Sequence, residues 1–178
     1  MGDGGVIYNT KKNAGINIVA HFINNTTSDN SFVVSGGATH NNYGVVGDIS
    51  GNFIHNSTVA PLASGAAIRN NGTINNISGN FIDNYSDSQR GGGGTVYNIA
   101  NINEINANFI GNIVISGSEI AYAAGINNQG TITKVKGDFI GNFVNSASDR
   151  AYGGAIWTPG TIKTIEANFI YNNQHCKQ

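Results

Sequence analysis

Six positions spread along the chain carry side chains suited to recognising a ligand: Tyr8, His40, Arg69, Tyr97, Asn127 and Trp157. Each follows directly on the last residue of a small-residue cluster that ends in an aliphatic side chain, as in Gly65-Ala66-Ala67-Ile68 and Gly153-Gly154-Ala155-Ile156; the second copy, Gly36-Gly37-Ala38-Thr39, puts Thr there. Aromatic faces stack on sugar rings and peptide groups, a guanidinium grips anions, and an imidazole donates or accepts near neutral pH. A residue next to an inward aliphatic one on a strand points outward. Tyr8, His40, Arg69, Tyr97 and Trp157 are therefore expected as a surface stripe that binds a sugar or peptide. Simple filling of space between neighbouring strands is the competing reading of the same residues.

Other chemistry finds less support. Glycan cleavage needs two carboxylates within about 5 to 10 Å on one face. The candidates are Asp83 with Asp87, Asp138 with Glu166, and Glu104 with Asp48, and only alignment of the copies brings them near each other. A chain without enzymatic activity is expected. His21, His40, His55 and His175 show neither helical i, i+4 pairing nor a Cys or carboxylate cluster at metal-ligand spacing, so no metal or other cofactor is expected. Gly91-Gly92-Gly93-Gly94 is not followed by Lys-Ser or Lys-Thr and reads as a turn rather than a phosphate loop. Cys176 is the single cysteine, which excludes an internal disulfide; a free thiol in an exposed tail is expected.

A net charge of -1 offers no basic stripe to neutralise phosphates, so nucleic acid is not an expected partner. No apolar run approaches the roughly 18 residues of a transmembrane helix. Met1-Gly2-Asp3-Gly4-Gly5 lacks the basic and apolar regions of a signal peptide, so an export signal is expected to lie elsewhere or to have been removed.

The elements that must position these residues come from an internal repeat. At intervals of 28 to 31 residues the chain returns to an aromatic, an isoleucine, any residue and an asparagine. The aromatics are Phe22, Phe53, Phe81, Phe109, Phe139 and Phe169, and the asparagines are Asn25, Asn56, Asn84, Asn112, Asn142 and Asn172. A fixed period of this length means one short unit stacked on itself. Aliphatic columns stand four residues before Phe (Ile18, Ile49, Ile77, Ile105, Val135, Ile165) and seven before it (Val46, Ile74, Ile102, Ile132, Ile162).

Short β-branched runs bounded by Gly and Asn read as strands, and no segment sustains helical periodicity. The expected fold is all-β: a parallel β-helix of about six coils, three short strands per coil, as one domain over residues 1–178. The repeats run approximately over 4–35, 36–64, 65–92, 93–122, 123–152 and 153–178. The Phe and Asn columns become structural ladders, with each Asn taking left-handed backbone angles at a bend or bonding its counterpart one rung away. A second polar ladder is Asn52, Asn80, Asn108, Asp138 and Asn168. Connectors such as 85–92 and 113–122 differ between copies, and in a solenoid such insertions emerge on one face, often the binding face.

The pairing of Gly-Gly-Ala-Ile with a Phe-x-x-Asn motif, as in Gly153 to Ile156 with Phe169 to Asn172, resembles the repeat of the chlamydial polymorphic membrane proteins and of related autotransporter passenger domains. The resemblance runs from Gly4 to Asn172. It implies a right-handed parallel β-helix, secreted or displayed on the bacterial outer surface, acting as an adhesin toward a host-surface protein or glycan. A structural protein associating end to end into filaments is the alternative, since bare solenoid ends expose strand edges. A polysaccharide-active enzyme is the third reading. Central phenylalanines such as Phe81 and Phe109 are expected to stabilise more than Phe22 and Phe169, because end copies have one stacked neighbour.

Overall fold

The computed structural model describes residues 2–3, 5–10, 15–30, 32–148 and 150–177, and of Gly2 and Asp3 the backbone alone. Gly4, which opens the first small-residue cluster, lies outside the described residues. Those residues form 25 strands and no helix. All pairings are parallel and join each strand to its counterpart one repeat away, so the chain is a β-solenoid of six stacked coils.

Each coil visits four sheets in turn, here named A to D. In the third coil these are Leu62–Ser64, Ile68–Asn70, Thr73–Ile82 and Tyr85–Ser88. Both aliphatic columns and the Phe column share the single ten-residue strand of sheet C, where the sequence suggests separate runs. The segments expected as connectors supply sheets A and D. Composition hides those strands because they enclose little space. Ser86 and Ser88 are fully buried, and Val114, Ala121, Ala124, Val144 and Ala151 make a small cluster between sheets A and D.

Sheets B and C enclose the main core. Ile68, Ile74, Ile77, Phe81 and their counterparts form one continuous cluster along the axis. The phenylalanines stack nearly parallel with centroids 4.6 to 5.1 Å apart, close to the spacing of about 4.8 Å between strands. Stacking neighbours at this distance add to the burial energy of each ring.

Two backbone devices let a ten-residue strand wrap a narrow core. Gly51, Gly79 and Gly137 adopt φ of +141°, +117° and +114° in mid-strand, and a Cβ there would lie 1.8 to 2.1 Å from the carbonyl oxygen of the rung below. Only glycine fits. The second device corrects the expectation for the tetrapeptide. Left-handed φ falls on the variable residue before Asn, namely Asn24, His55, Asp83, Gly111, Gly141 and Tyr171, with φ from 51° to 63°. The asparagine itself spends its amide on the ladder. Asn84 Nδ2 donates to Phe53 O and to Asn112 Oδ1, each at 2.9 Å, while its own Oδ1 accepts from the Asn56 amide group and backbone. With every polar atom of the amide bonded, burial costs little.

The second polar ladder also forms, as in Asn80 Nδ2 to Asn52 Oδ1 at 2.9 Å and Asn168 Nδ2 to Asp138 Oδ1 at 2.8 Å. A third ladder, not anticipated, runs through Asn9, Asn41, Asn70, Asn98 and Asn128 with amide bonds of 2.8 to 2.9 Å. It turns sheet B into sheet C. Asn70, for example, also donates to the Gly72 and Asn101 carbonyls.

The two ends are unlike. Phe22 stacks on one ring, Phe53, yet is only 3% exposed, whereas Phe169, which also stacks on one ring, is 51% exposed. Cys176 likewise departs from an exposed tail. It is half-buried at the end of the last sheet D strand, pairs with Ser146 and packs against the small cluster between sheets A and D.

Candidate ligand-binding cleft

The stripe residues occupy one register position of sheet B, paired in the order Tyr8, His40, Arg69, Tyr97, Asn127 and Trp157. They point out of the coil as alternation requires. They do not form a flat surface. Sheet A turns into sheet B through residues with positive φ, among them Gly36, Gly65, Gly94 and Gly153 at 61° to 78°, and the outer faces of the two sheets enclose a cleft. At Gly65 a Cβ would sit 2.5 Å from the Ile68 carbonyl oxygen, so the corner depends on glycine.

The cleft has a volume of about 340 Å³. Arg69, Tyr97 and Asn127 of sheet B form its floor, and the sheet A side brings Arg90, Glu119 and Tyr122. Concavity explains why Asn127, outward by alternation, is 1% exposed; His40, 3% exposed, does not line the cleft. Tyr8 is 45% exposed and meets the His40 ring edge-on with centroids 5.1 Å apart. Trp157 and Tyr8 do not line the cavity; Trp157 packs on the lining residue Tyr122 with centroids 4.1 Å apart, and Tyr152 stacks on Tyr122 at 6.0 Å.

Arg69 is the most constrained charge of the site. Its Nε donates to Asn71 Oδ1 at 3.0 Å, its Nη1 donates to Ser64 Oγ at 3.1 Å and to Ser35 Oγ, and its guanidinium carbon lies 5.3 Å from the centre of the Tyr97 ring. All of these partners are neutral. Burial raises the Tyr97 phenol above its ordinary value against the opposing pull of Arg69. Burial likewise raises Tyr122, with Tyr152 and Glu119 adding to the effect. Both phenols are thus neutral donors at physiological pH.

The carboxylate candidates stand elsewhere. Asp83 lies 3.8 Å from His55 on the surface, and Asp87 accepts from the Tyr85 hydroxyl at 3.0 Å. Asp138 belongs to the second Asn ladder. Glu166 pairs with Lys134 at 2.6 Å, whose hydrogen bond holds the carboxyl below its usual range, and Glu104 pairs with Lys136 at 3.1 Å. Asp48 accepts from Asn76 at 2.7 Å. Among the described residues, the carboxylate that lines the cleft is Glu119, and no group of three or more His, Cys, Asp or Glu side chains could hold a metal.

Arg90, Glu119 and Tyr122 were not singled out by residue type. Their signal is positional, because all three fall in the connectors whose sequences differ from coil to coil. Gly91, Gly92 and Gly93 also border the cleft, and Gly92-Gly93 forms the sheet A strand of the fourth coil rather than a loop. Comparison with protein-family models, with curated proteins and with solved structures returned no match, so the cleft is read from its own chemistry.

Proposed function

We propose that this chain is a non-enzymatic binding segment of a β-solenoid presented outside the cell, adhesin-like, whose cleft between sheets A and B receives a glycan. One observation carries the reading: Arg69, Tyr97 and Asn127 from three successive coils converge with Arg90, Glu119 and Tyr122 on a single concavity of ligand size, about 300 to 1,000 Å³ being usual. The repeated interior columns serve stacking, whereas Arg69, Tyr97 and Asn127 put a different side chain in each of three successive coils. Aromatic faces edged by a few fixed polar groups suit a flat, hydroxyl-rich ligand. The likeness of the repeat motifs to autotransporter passengers supports display at a bacterial surface. Each carboxylate candidate for glycan cleavage is occupied by its own neighbour, which favours binding over turnover. Saturable binding to host cells or to a glycan array, lost in the Tyr97→Ala/Trp157→Ala double variant, is the expected result. Unchanged binding in that variant removes the cleft from the reading.

End-to-end association is the second reading. It is favoured by the last rung, where Ile165 and Phe169 are about half exposed and, among the described residues, the strand Thr161–Ile170 is paired on one side. Sedimentation across a range of concentrations tests it. Growth in multiples of one chain supports association, and a concentration-independent monomer refutes it.

A further inference from the structure

The cleft has a charge pattern that narrows its ligand beyond any glycan. Arg69 is half-buried, its Nε and Nη1 are tied to Asn71, Ser64 and Ser35, and among the described residues no carboxylate pairs with it. A cation drawn partly out of water without a counter-charge is costly, and an arriving anion recovers that cost. Arg90 adds a second, exposed guanidinium to the same cavity. Glu119, also exposed, is the one opposing charge among the described lining residues.

Asn127 supplies an independent sign of a ligand. It is 1% exposed, it borders the cavity, and its Oδ1 has no hydrogen-bond partner. In the three ladders described above the asparagine amides are bonded; here, in the outward column, an acceptor is left over. A buried acceptor without a donor destabilises the empty protein, and a hydroxyl group in the cleft supplies the donor. Asn127 follows Tyr97 by one rung and Arg69 by two, about 5 and 10 Å along the axis. Anion site, aromatic face and lone acceptor thus lie in line at a spacing suited to one or two sugar rings.

We propose that the cleft recognises a carboxylated sugar, a uronate-type residue of a glycan, with the carboxylate on Arg69 and Arg90, the ring against the part of Tyr97 that Arg69 leaves open to the cavity, and a hydroxyl donated to Asn127 Oδ1. This inference rests on the glycan-binding reading of the cleft and specifies its ligand class. Arg69 is fixed by three hydrogen bonds, so the anion site is preorganised and loses little side-chain freedom on binding.

The test compares two soluble probes, a uronate disaccharide and the same disaccharide with its carboxyl group reduced to an alcohol, by calorimetry on the whole chain. The wild type should bind the carboxylated probe about tenfold or more tightly, the size of one charge-assisted hydrogen bond. That preference should shrink as salt is added. Arg69→Gln should abolish it while leaving affinity for the neutral probe. Arg90→Gln, at an exposed position with no role in packing, should cut it a few-fold and guards against a folding defect in the first variant. Asn127→Leu should weaken both probes alike. Equal binding of the two probes by the wild type overturns the uronate assignment and leaves glycan binding standing. Failure of both probes, with a neutral glycan still captured on the array, also overturns it. Failure of every glycan, or capture of an acidic peptide instead, overturns the assignment and the reading beneath it together.

Discussion

The space between sheets B and C and the cleft between sheets A and B lie on opposite faces of the same strands, yet they follow opposite rules. Inside, position 68 and its counterparts are Ile, Val or Thr, and the Phe column does not vary. Outside, the next residue along is Tyr, His, Arg, Tyr, Asn and Trp in successive coils. The interior must offer every rung the same shape, because each ring stacks on a copy of itself. The cleft is under no such demand, so it is free to carry a different group in each coil. Repetition marks what the fold requires, and departure from repetition marks where a ligand can be read.

Substitutions on the two faces should separate sharply. The largest loss is expected inside: Phe109→Ala should cost roughly 3 to 5 kcal/mol by denaturant unfolding, and Phe22→Ala nearly as much, because that ring is equally buried. Phe169→Ala, half exposed already, should cost less than half of that. Equal losses at Phe169 and Phe109 would mean that the last rung is covered in solution, as end-to-end association requires.

Next in size is the buried Asn ladder. Asn84→Ala removes the donor to Phe53 O and to Asn112 Oδ1 and leaves the Asn56 backbone N–H without its acceptor, at about 2 to 3 kcal/mol. Asn80→Ala, in the half-buried ladder where water replaces the lost partner, should cost under about 1 kcal/mol. If the two losses match, burial is not what gives the first ladder its value.

On the cleft face, Tyr97→Ala should lower stability by about 1 kcal/mol at most, because the ring is half-buried against Arg69 rather than packed in the core. Its effect should appear in ligand affinity instead. A loss as large as that at Phe109 would make Tyr97 a core residue and erase the contrast.

The smallest effect is a pH dependence on the outer face of sheet D. Burial, with a hydrogen bond to Asp87, raises the Tyr85 phenol from 10.0 to about 12. A raised folded value favours the neutral form, so this contribution is complete below pH 10.0 and is lost as pH climbs toward about 12. Subtracting the stability profile of Tyr85→Phe from that of the wild type should isolate a fall confined to that window. A flat difference would remove the Asp87 contact from the account.

How far the sequence discloses all this follows from the same contrast. The Phe, Ile and first Asn columns stand out because identical neighbours recur at a fixed period, and they lead directly to a parallel solenoid. Sheets A and D do not, since Ser86, Ser88, Ala121 and Val114 fill a space too small for a distinctive apolar pattern. The Asn70 ladder was legible as a column but sits beside more conspicuous residues. At the tetrapeptide, propensity pointed to Asn for the left-handed bend, whereas the structure gives the bend to its neighbour because the Asn amide is needed for bonds to three other residues. In the cleft, alternation placed Arg69, Tyr97 and Trp157 on the outer face. It could not supply the concavity, which arises where two sheets meet, nor Tyr122 and Glu119 on the other wall.

Mapping by NMR tests the central claim most directly. With backbone amides assigned, titration of the uronate disaccharide into labelled protein should shift residues 62–64, 69, 90–93, 97, 119–122 and 127, and leave the sheet C amides around Phe81 and Phe109 unmoved. Shifts centred on the outer face of sheets C and D would contradict the account, and so would a titration in which residues 69, 97 and 127 stay still.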